Sequence, residues 1–492
     1  MDFLSRHPVL VPLFAILATL VADRGLPVAL GHNFFLGHLL LKKYAGKMPK
    51  DAHYQYMFGD IYRDRFEKEG AFFIDLWPMT GLCYAVFCRH VTAAVMQNPR
   101  LPMQRLYLLS RLFKPIAGDP KFFDMKEADW KPWRTVFSKG FNAPGLVPGV
   151  VEETQVYAQT FRDLAQKKGM FSLDMVSLRF LMDLGAQKGY NTLADSMISQ
   201  IRWHQSNAEI NPLSFLNVAR WYMEWRNGWA MDKYIGAELD RRYAEFKADT
   251  DNSRTKSVID ITEKQQPSQR NWIPSSALAI RQIRLFVFGG HDSKSNTLCY
   301  ILHLLSKNPI ALEKIRAEHD TVLGVDYGAV SDKLISHPQL ANNLSYNSAV
   351  IKETLRLFPP ASGARQGKPD TTVPTDGGDL CPMDDAWIIF IHVAAHRTPA
   401  DWVRAAEFPP ERFLVEPGDE LYPVKGAWRA FEHGPRSCIA QSLAMTDLKI
   451  ILAHIVGEFD FKDEYEEWDS IHGRKNFREV YGDRAYQIGS SK

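Results

Sequence analysis

The chain has 492 residues, of which 46% are hydrophobic and 24% are charged, as in ordinary globular proteins. A formal net charge of +2, with no basic stripe or charge block, argues against nucleic acid as the main partner. No Gly/Ser-rich linker, low-complexity tract or internal repeat divides the chain. We therefore expect one domain at residues 27–492, preceded by a short leader.

Residues 1–26 are predicted to form a membrane anchor and a hinge. The stretch 8–22 carries no charge, although it is short against the ~20 apolar residues that a spanning helix needs. A cleaved signal peptide is the alternative, and the lack of secretory cysteine usage disfavours it. Arg24, Lys42 and Lys43 follow the segment and favour a cytoplasmic position for the body of the protein.

The first half of the chain contains two short β-prone runs, at 71–76 and 84–88. Helical spacing of apolar residues follows at 151–168. The stretch 275–305 is long and largely apolar, and a single pair of glycines interrupts it. It predicts a helix that runs through the core.

The second half mixes loops with shorter elements. Gly/Pro clusters at 359–382 and 408–435 predict long loops, and 387–393 is a further candidate strand. Apolar positions at helical spacing over 444–459 predict a buried helix. The fold class that these patterns indicate is mainly α with a minor β part.

The first motif in chain order is Trp130-Lys-Pro-Trp-Arg134. Trp130 and Arg134 are four residues apart and lie on one helical face, where Arg134 can reach an anionic group. An ordinary amphipathic helix end is the simpler explanation of this motif taken alone.

The second motif, residues 288–293, lies in the predicted central helix. Gly289 and Gly290 weaken the helix and let a ligand approach its backbone. Asp292 and Ser293 follow, and an acid beside a hydroxyl can relay protons to bound dioxygen. The alternative is a kinked core helix in which Ser293 bonds back to a helix carbonyl.

The third motif is Glu353-Thr-Leu-Arg356, whose charged residues share one helix face. Arg412, in a Pro-Glu-Arg-Phe segment, can complete a buried Glu–Arg–Arg cluster. Taken alone, an ordinary surface ion pair explains Glu353 and Arg356 better.

The fourth motif surrounds Cys438, one of five scattered cysteines that form neither a disulfide framework nor a CxxC zinc pair. Cys438 follows a Gly-Pro-Arg loop and precedes a helix, whose free N–H groups and dipole favour a thiolate. Such a thiolate is the ligand that lets a haem iron promote O–O cleavage. Arg436 can pair with a haem propionate. The alternative, a structural buried cysteine beside a turn, explains the segment about equally well taken alone.

These motifs occur in the order found in the cytochrome P450 superfamily. Residues 431–440 match its pattern F-x-x-G-x-R-x-C-x-[GA], and the chain resembles the family from about residue 27 to the C-terminus. The resemblance is closest to fungal membrane-anchored members of secondary metabolism. It implies a cytochrome P450 fold, mainly α, with a long central helix that crosses over the haem.

The resemblance also implies residue roles. Cys438 would ligate the iron of haem b, and Asp292 and Ser293 would deliver protons during oxygen activation. The other residues expected to contact the haem are Trp130, Arg134, Gly289, Gly290, Arg365, Phe431 and Arg436.

Glu353, Arg356 and Arg412 would form the structural triad that supports the haem-binding core. Arg365 is assigned to the haem because it lies nine residues after Arg356, where the family commonly places such an arginine.

The implied reaction inserts one oxygen atom of O2 into a lipophilic organic substrate. Its electrons would come from NADPH through a separate cytochrome P450 reductase that docks on a basic face, since no GxGxxG lies between a strand and a helix. The resemblance places the protein at the endoplasmic reticulum membrane, with its catalytic domain in the cytoplasm.

Two alternatives remain open within the family: an enzyme that rearranges or dehydrates a peroxide, and a non-catalytic haem protein. The Asp292-Ser293 pair favours a monooxygenase over both. The sequence departs from the family pattern where Ser293 replaces the usual threonine, Lys294 follows it, and Ala440 replaces the commoner glycine. We expect Lys294 to point away from the oxygen site.

The segments expected to line a substrate pocket are rich in aromatic and aliphatic residues, which favours a bulky lipophilic substrate. These segments are 101–118, 207–225, Phe286, Phe288 and 361–364. The resemblance to fungal members implies a secondary metabolite such as a polyketide or terpenoid.

Overall fold

The computed structural model describes most of the chain beyond residue 51, with gaps, and a few residues before it. The described residues are 26–29, 38, 49, 52–76, 81–98, 100–101, 113–118, 122, 125, 127–141, 144–186, 191–204, 217–248, 277–384, 386–473 and 479–486. The predicted anchor at 1–26 lies outside them except for its last residue. Among the described helices, none combines the length and the apolar character needed to cross a bilayer.

Helices dominate the described part, as predicted. They are α1 Tyr54–Arg65, α2 Arg89–Gln97, α3 Glu127–Phe141, α4 Val147–Lys167, α5 Leu173–Ala186, α6 Asn191–Trp203, α7 Val218–Ala248, α8 Ala277–Lys307, α9 Pro309–Leu323, α10 Val330–Ser336, α11 Ser345–Leu357, α12 His392–Ala395, α13 Gln441–Ile455 and α14 Tyr465–Ile471.

Helix α8 is the centre of the molecule and confirms the helix predicted at 275–305. Its 31 residues span about 46 Å at the usual rise per residue. It packs against α5, α7, α9, α11 and α13. Leu298, Ile301, Leu302 and Leu305 are almost completely buried in the core cluster that α8 shares with α11 and α13. The glycine pair and the residues after it are therefore held on a rigid element.

In the part of the chain that the structure describes, the minor β part consists of six short strands: β1 Ala71–Asp75, β2 Leu82–Val86, β3 Ala364–Gln366, β4 Thr372–Pro374, β5 Leu380–Pro382 and β6 Trp387–Phe390. The four-stranded sheet has the order β1-β2-β6-β3, and β4 pairs with β5 in a separate hairpin. The pair β2–β6 is parallel, whereas β1–β2 and β3–β6 are antiparallel. Strands β1 and β2 match the two predicted β-prone runs to within two residues.

The strand predicted at 387–393 is confirmed as β6, but its predicted end was wrong. It ends at Phe390, where its partner β2 ends at Val86, and a helical turn, α12, follows. The region 359–382 was predicted to be a loop, yet it contains β3, β4 and β5. Its Gly-Gly pair at 377–378 marks the turn of the β4–β5 hairpin rather than an irregular segment.

The predicted helix at 444–459 is α13, which begins three residues after Cys438 and ends at Ile455. It stops earlier than predicted where the ring of Tyr327 packs onto the backbone of Gly457, leaving no room for a side chain there. The stretch 408–435 contains a 3₁₀ turn, Pro410–Phe413, and is otherwise made of turns, as expected.

Candidate active site

The loop before α13 presents Cys438 with an exposed side chain and forms no disulfide with it. The Cys438 amide donates to the Phe431 carbonyl at 2.8 Å, which closes the loop. Gly434 has a φ of 80°, a backbone conformation that favours glycine. Cys438 lies three residues before α13, which begins at Gln441, and the unpaired N–H groups of a helix N-terminus favour a thiolate nearby.

Helix α3 meets the cysteine loop through Trp130 and Arg134. The Arg134 guanidinium donates to the Ser437 carbonyl at 2.6 Å and lies 5.7 Å from the Trp130 ring. Burial lowers the pKa of Arg134, and the nearby Cys438 thiol opposes that shift. The structure therefore brings together three residues that the sequence placed in one site.

Arg436 is the most constrained cation of this cluster. It is 4% exposed, and its guanidinium carbon lies 4.0 Å from the centroid of the Trp130 ring. One terminal nitrogen donates to the Met125 carbonyl at 3.0 Å, whereas Nε has no partner. Burial, followed by repulsion from Arg365, lowers the pKa of Arg436 to about 10.

Arg365 approaches the same region from β3 and is 5% exposed. It donates to its neighbour's carbonyl at 2.9 Å and to the Met96 sulfur at 3.4 Å. Within the described residues, Arg134, Arg365 and Arg436 make no ion pair with a carboxylate. Because buried cations require compensation, this arrangement suits an anionic ligand.

In α8, the glycine pair leaves open space. A methyl group added at Gly289 or Gly290 would meet no atom within 4 Å outside the local helix backbone. The Ser293 hydroxyl donates to the Gly289 carbonyl at 2.7 Å, so the back-bonded arrangement that the sequence left open is the one observed. The hydroxyl oxygen keeps its acceptor capacity.

Asp292 is a perturbed acid. Burial, assisted by the charge of Asp174 on α5, raises its pKa to about 6. An acid with a pKa near the working pH can both hold and release a proton, as proton delivery requires.

The raised pKa of Asp292 predicts a pH-dependent stability. The folded chain favours the neutral form of Asp292. The contribution of Asp292 to the free energy of unfolding is therefore fully present below pH ~4 and is lost as the pH rises through about 6. We expect Asp292→Asn to stabilise the protein by about 2–3 kcal/mol at pH 8 and by little near pH 4. Thermal unfolding of both proteins across pH 4–8 measures this difference. The exposed Asp240→Asn on α7 is the control, and an equal gain for the two variants would contradict the account.

Lys294, the unusual residue after the acid–alcohol pair, forms an ion pair with a residue of another helix. Its ammonium lies 2.6 Å from a carboxylate oxygen of Asp447 on α13, and both side chains are largely buried. This ion pair accounts for a lysine in a mainly apolar helix. It also links α8 to the helix that follows Cys438.

Glu353, Arg356 and Arg412 form a cluster that is almost completely buried. Arg356 binds the carboxylate of Glu353 through two nitrogens, at 2.8 and 2.9 Å, and Arg412 Nε lies 3.1 and 3.2 Å from the same two oxygens. The alternative of an ordinary surface ion pair is therefore wrong. Arg356 also donates to the carbonyls of residues 396, 405 and 407, so the cluster fastens that loop to α11.

The sequence interpretation missed a second buried network in the cysteine loop. Glu432 lies 2.8 Å from the ring of His392 and 2.9 Å from the guanidinium of Arg429. These partners hold its pKa well below its usual range although burial opposes them. A glutamate between Phe431 and Gly434 carries no special spacing, so no sequence signal marked it.

The residues predicted to line the substrate pocket lie in different environments. The ring centroids of Phe286 and Phe137 of α3 are 4.8 Å apart, and both rings belong to the cluster that contains Trp130. The ring centroids of Phe288 and Phe113 are 5.6 Å apart. Within 217–225, the side chains of Tyr222 and Trp225 are 58% and 66% exposed, so that face of α7 does not line an enclosed pocket. Residues 102–112 and 205–216 lie outside the described part.

The family model for cytochrome P450 matches residues 110–477. Cytochrome P450 monooxygenase polC of Polytolypa hystricis is 34% identical over 483 residues, which cover 93% of this chain and 85% of that protein. Cytochrome P450 monooxygenase acrF of Aspergillus aculeatus is 29% identical, covering 90% of this chain and 96% of that protein.

A crystal structure of a cytochrome P450, CYP102L1, superposes with a TM-score of 0.69, covering 89% of this chain and 94% of that one; at 20% identity this likeness supports the fold alone. The two relatives come from fungi, in line with the resemblance inferred from the motifs. The length of the matched region and the similarity to these monooxygenases establish that this chain belongs to the cytochrome P450 family.

Proposed function

We propose that the chain is a haem-thiolate monooxygenase whose haem b is held by Cys438 and which inserts one oxygen atom of O2 into a lipophilic substrate. The observation that carries the proposal is the group of three arginines around the cysteine loop. Within the part of the chain that the structure describes, none of these arginines (Arg134, Arg365 and Arg436) forms an ion pair with a carboxylate, and the Nε atom of buried Arg436 has no hydrogen-bond partner. An anionic macrocycle with two propionates supplies what these side chains lack.

The surrounding residues fit the same group. Cys438 offers an exposed sulfur at the N-terminus of α13. The open space beside Gly289 and Gly290 admits a flat ligand close to the α8 backbone. When bound, the haem supplies the oxygen chemistry, and the protein supplies binding, orientation and protons. Arg134 and Arg436, with Trp130 against both, would hold the propionates.

Asp292 and Ser293 would handle the protons. With a pKa of about 6, the Asp292 carboxyl is able to take up a proton from solvent and release it near neutral pH. The Ser293 hydroxyl donates to the Gly289 carbonyl and accepts on its remaining lone pairs. Rotation of this hydroxyl would pass a proton toward the open side of the helix. Because serine lacks the β-branch of threonine, its side chain is less restricted, so delivery would be less ordered.

The partners and the location are part of the proposal. We place the single catalytic domain at residues 27–492, anchored by residues 1–26 to the endoplasmic reticulum membrane and facing the cytoplasm. NADPH-cytochrome P450 reductase would supply the electrons. The aromatic and aliphatic pocket segments support a lipophilic substrate. Similarity to two fungal cytochrome P450 monooxygenases favours a secondary metabolite as its class.

Oxygen use tests the proposal directly. The full-length chain, loaded with haem, is combined with the reductase in phospholipid vesicles and screened for lipophilic compounds that shift the Soret band. We expect NADPH and O2 to be consumed with formation of a singly oxygenated product. Turnover of a lipid hydroperoxide without NADPH or O2 use would instead identify a peroxide-rearranging enzyme.

The role of Ser293 is tested by Ser293→Ala. We expect haem binding to be retained while a larger fraction of the consumed O2 appears as hydrogen peroxide, because the relay hydroxyl is lost. Ser306→Ala is the matched control, since Ser306 also donates to a carbonyl of α8 but lies 13 residues away. Product and peroxide are measured per NADPH. Unchanged coupling in Ser293→Ala would rule out proton delivery by Ser293.

A further inference from the structure

A thiol, an imidazole and a carboxylate converge at the N-terminus of α2, outside the site described above. They belong to Cys88, His90 and Asp376, and their ligand atoms all lie within 4.8 Å of one another. Eight residues further along, Met96 of the same helix contacts Arg365. About 12 Å of helix therefore separates this cluster from the cysteine-loop site.

The backbone beneath the cluster places two of these side chains next to each other. The Cys88 amide donates to the Gly70 carbonyl at 3.0 Å, and the Asp376 amide donates to the Glu69 carbonyl at 2.8 Å. A Cβ atom on Gly70, whose φ is 71°, would lie only 2.6 Å from the Cys88 Cβ and 3.0 Å from the Asp376 Cβ. Cys88 and Asp376 therefore rise side by side over one glycine, and their separation is set by the fold.

The third donor is aimed at the other two. The Cys88 sulfur caps α2 by accepting the His90 amide at 3.3 Å, which turns it toward His90. The His90 Nδ1 atom lies 2.8 Å from the Asp376 carboxylate. Arg89, the nearest cation in sequence, is paired with Asp401 at 2.6 Å, so its charge is neutralised. The cluster therefore presents sulfur, nitrogen and oxygen donors with no adjacent unpaired cation on its own helix.

We propose that Cys88, His90 and Asp376 bind a divalent transition metal ion of the zinc type, with water as the fourth ligand. This donor set suits Zn²⁺, whereas Ca²⁺ and Mg²⁺ take oxygen ligands. Burial raises the pKa of the Cys88 thiol to about 11, so the metal has to displace that proton on binding. The site does not depend on the proposed haem chemistry, and it would connect metal availability to the helix that contacts Arg365.

The test is X-ray absorption at the zinc edge on the haem-loaded full chain after addition of one equivalent of ZnCl2. Iron absorbs at a separate edge, and the Cys438 sulfur is occupied by iron in the proposed holoprotein. We expect one sulfur neighbour at about 2.3 Å, with nitrogen and oxygen neighbours at about 2.0–2.2 Å. A zinc shell of nitrogen and oxygen alone would overturn the proposal.

Variants assign the ligands. Cys88→Ser should remove the zinc–sulfur distance. His90→Gln and Asp376→Asn should each weaken zinc binding at least ~10-fold, because loss of even an outer-shell partner of a metal ligand costs about that much affinity. His337→Gln, which removes another exposed histidine beside a helix end, should leave the affinity unchanged. Circular dichroism confirms that each variant is folded, and Asp376→Asn keeps the side-chain shape if Cys88→Ser does not fold. A zinc–sulfur distance that persists in Cys88→Ser, or equal affinities in all the variants, would refute the site.

Discussion

Replacing Glu353 with alanine should lower the free energy of unfolding by about 3–5 kcal/mol, the usual cost of breaking a buried ion pair from one side. Glu353 is completely buried and is the carboxylate that both Arg356 and Arg412 contact. Without it, two guanidinium groups remain desolvated. The ring of Trp402 lies 5.2 and 5.4 Å from them and cannot replace a carboxylate.

The matched control for Glu353 is Glu458→Ala. Glu458 also binds an arginine through both oxygens, Arg162 at 2.5 and 2.7 Å, but this pair lies at the surface. Surface pairs contribute ~0–1 kcal/mol, so this variant should unfold at nearly the wild-type urea concentration. Urea denaturation followed by circular dichroism measures both variants. Similar midpoints for the two would contradict the view that the buried cluster holds the 396–407 loop to α11.

The Glu353 cluster shows which contacts of the site could be predicted from the sequence. The spacing of Glu353 and Arg356 predicts that they share a helix face, which the structure confirms. Spacing alone does not predict burial, and it favoured a surface pair. Arg412 lies 59 residues after Glu353, and no local spacing connects the two. Long-range contacts of this kind depend on the tertiary fold rather than on local pattern.

Regular elements were predictable where one periodicity extends over many residues. Helix α8 has 31 residues of helical pattern, so its position was clear even with two glycines inside it. The strands β3 to β5 have three residues each, too few for a periodic signal. Strand β3 also pairs with β6 rather than with the next strand along the chain. The end of β6 depends on where β2 ends, which the sequence of β6 does not contain.

The ion pair between Lys294 and Asp447 is a contact near the site that the sequence could not predict. Each is a charged residue within a mainly apolar helix, which signals that a buried partner exists. Nothing in either helix identifies that partner, because 152 residues lie between the two. Glu432, with a φ of 57°, has a backbone conformation that its sequence neighbours do not reveal.

Replacing Cys438 with alanine should abolish thiolate ligation of the haem iron. The structure supports a ligand role because the Cys438 side chain is exposed beside the Arg134 guanidinium at the N-terminus of α13. Cys83 and Cys381 are buried in strands, and Cys299 lies within α8, so they do not offer a sulfur at that position. We expect the variant to lose most of its bound haem, or to hold haem without sulfur ligation.

The carbon monoxide difference spectrum of the reduced protein tests this ligation most directly. Wild type and the control Cys88→Ala should both give the strongly red-shifted Soret band of a thiolate-ligated haem, and Cys438→Ala should give none. A thiolate-type band that persists in Cys438→Ala, or that is missing from the haem-loaded wild type, would contradict the assignment of Cys438 as the iron ligand.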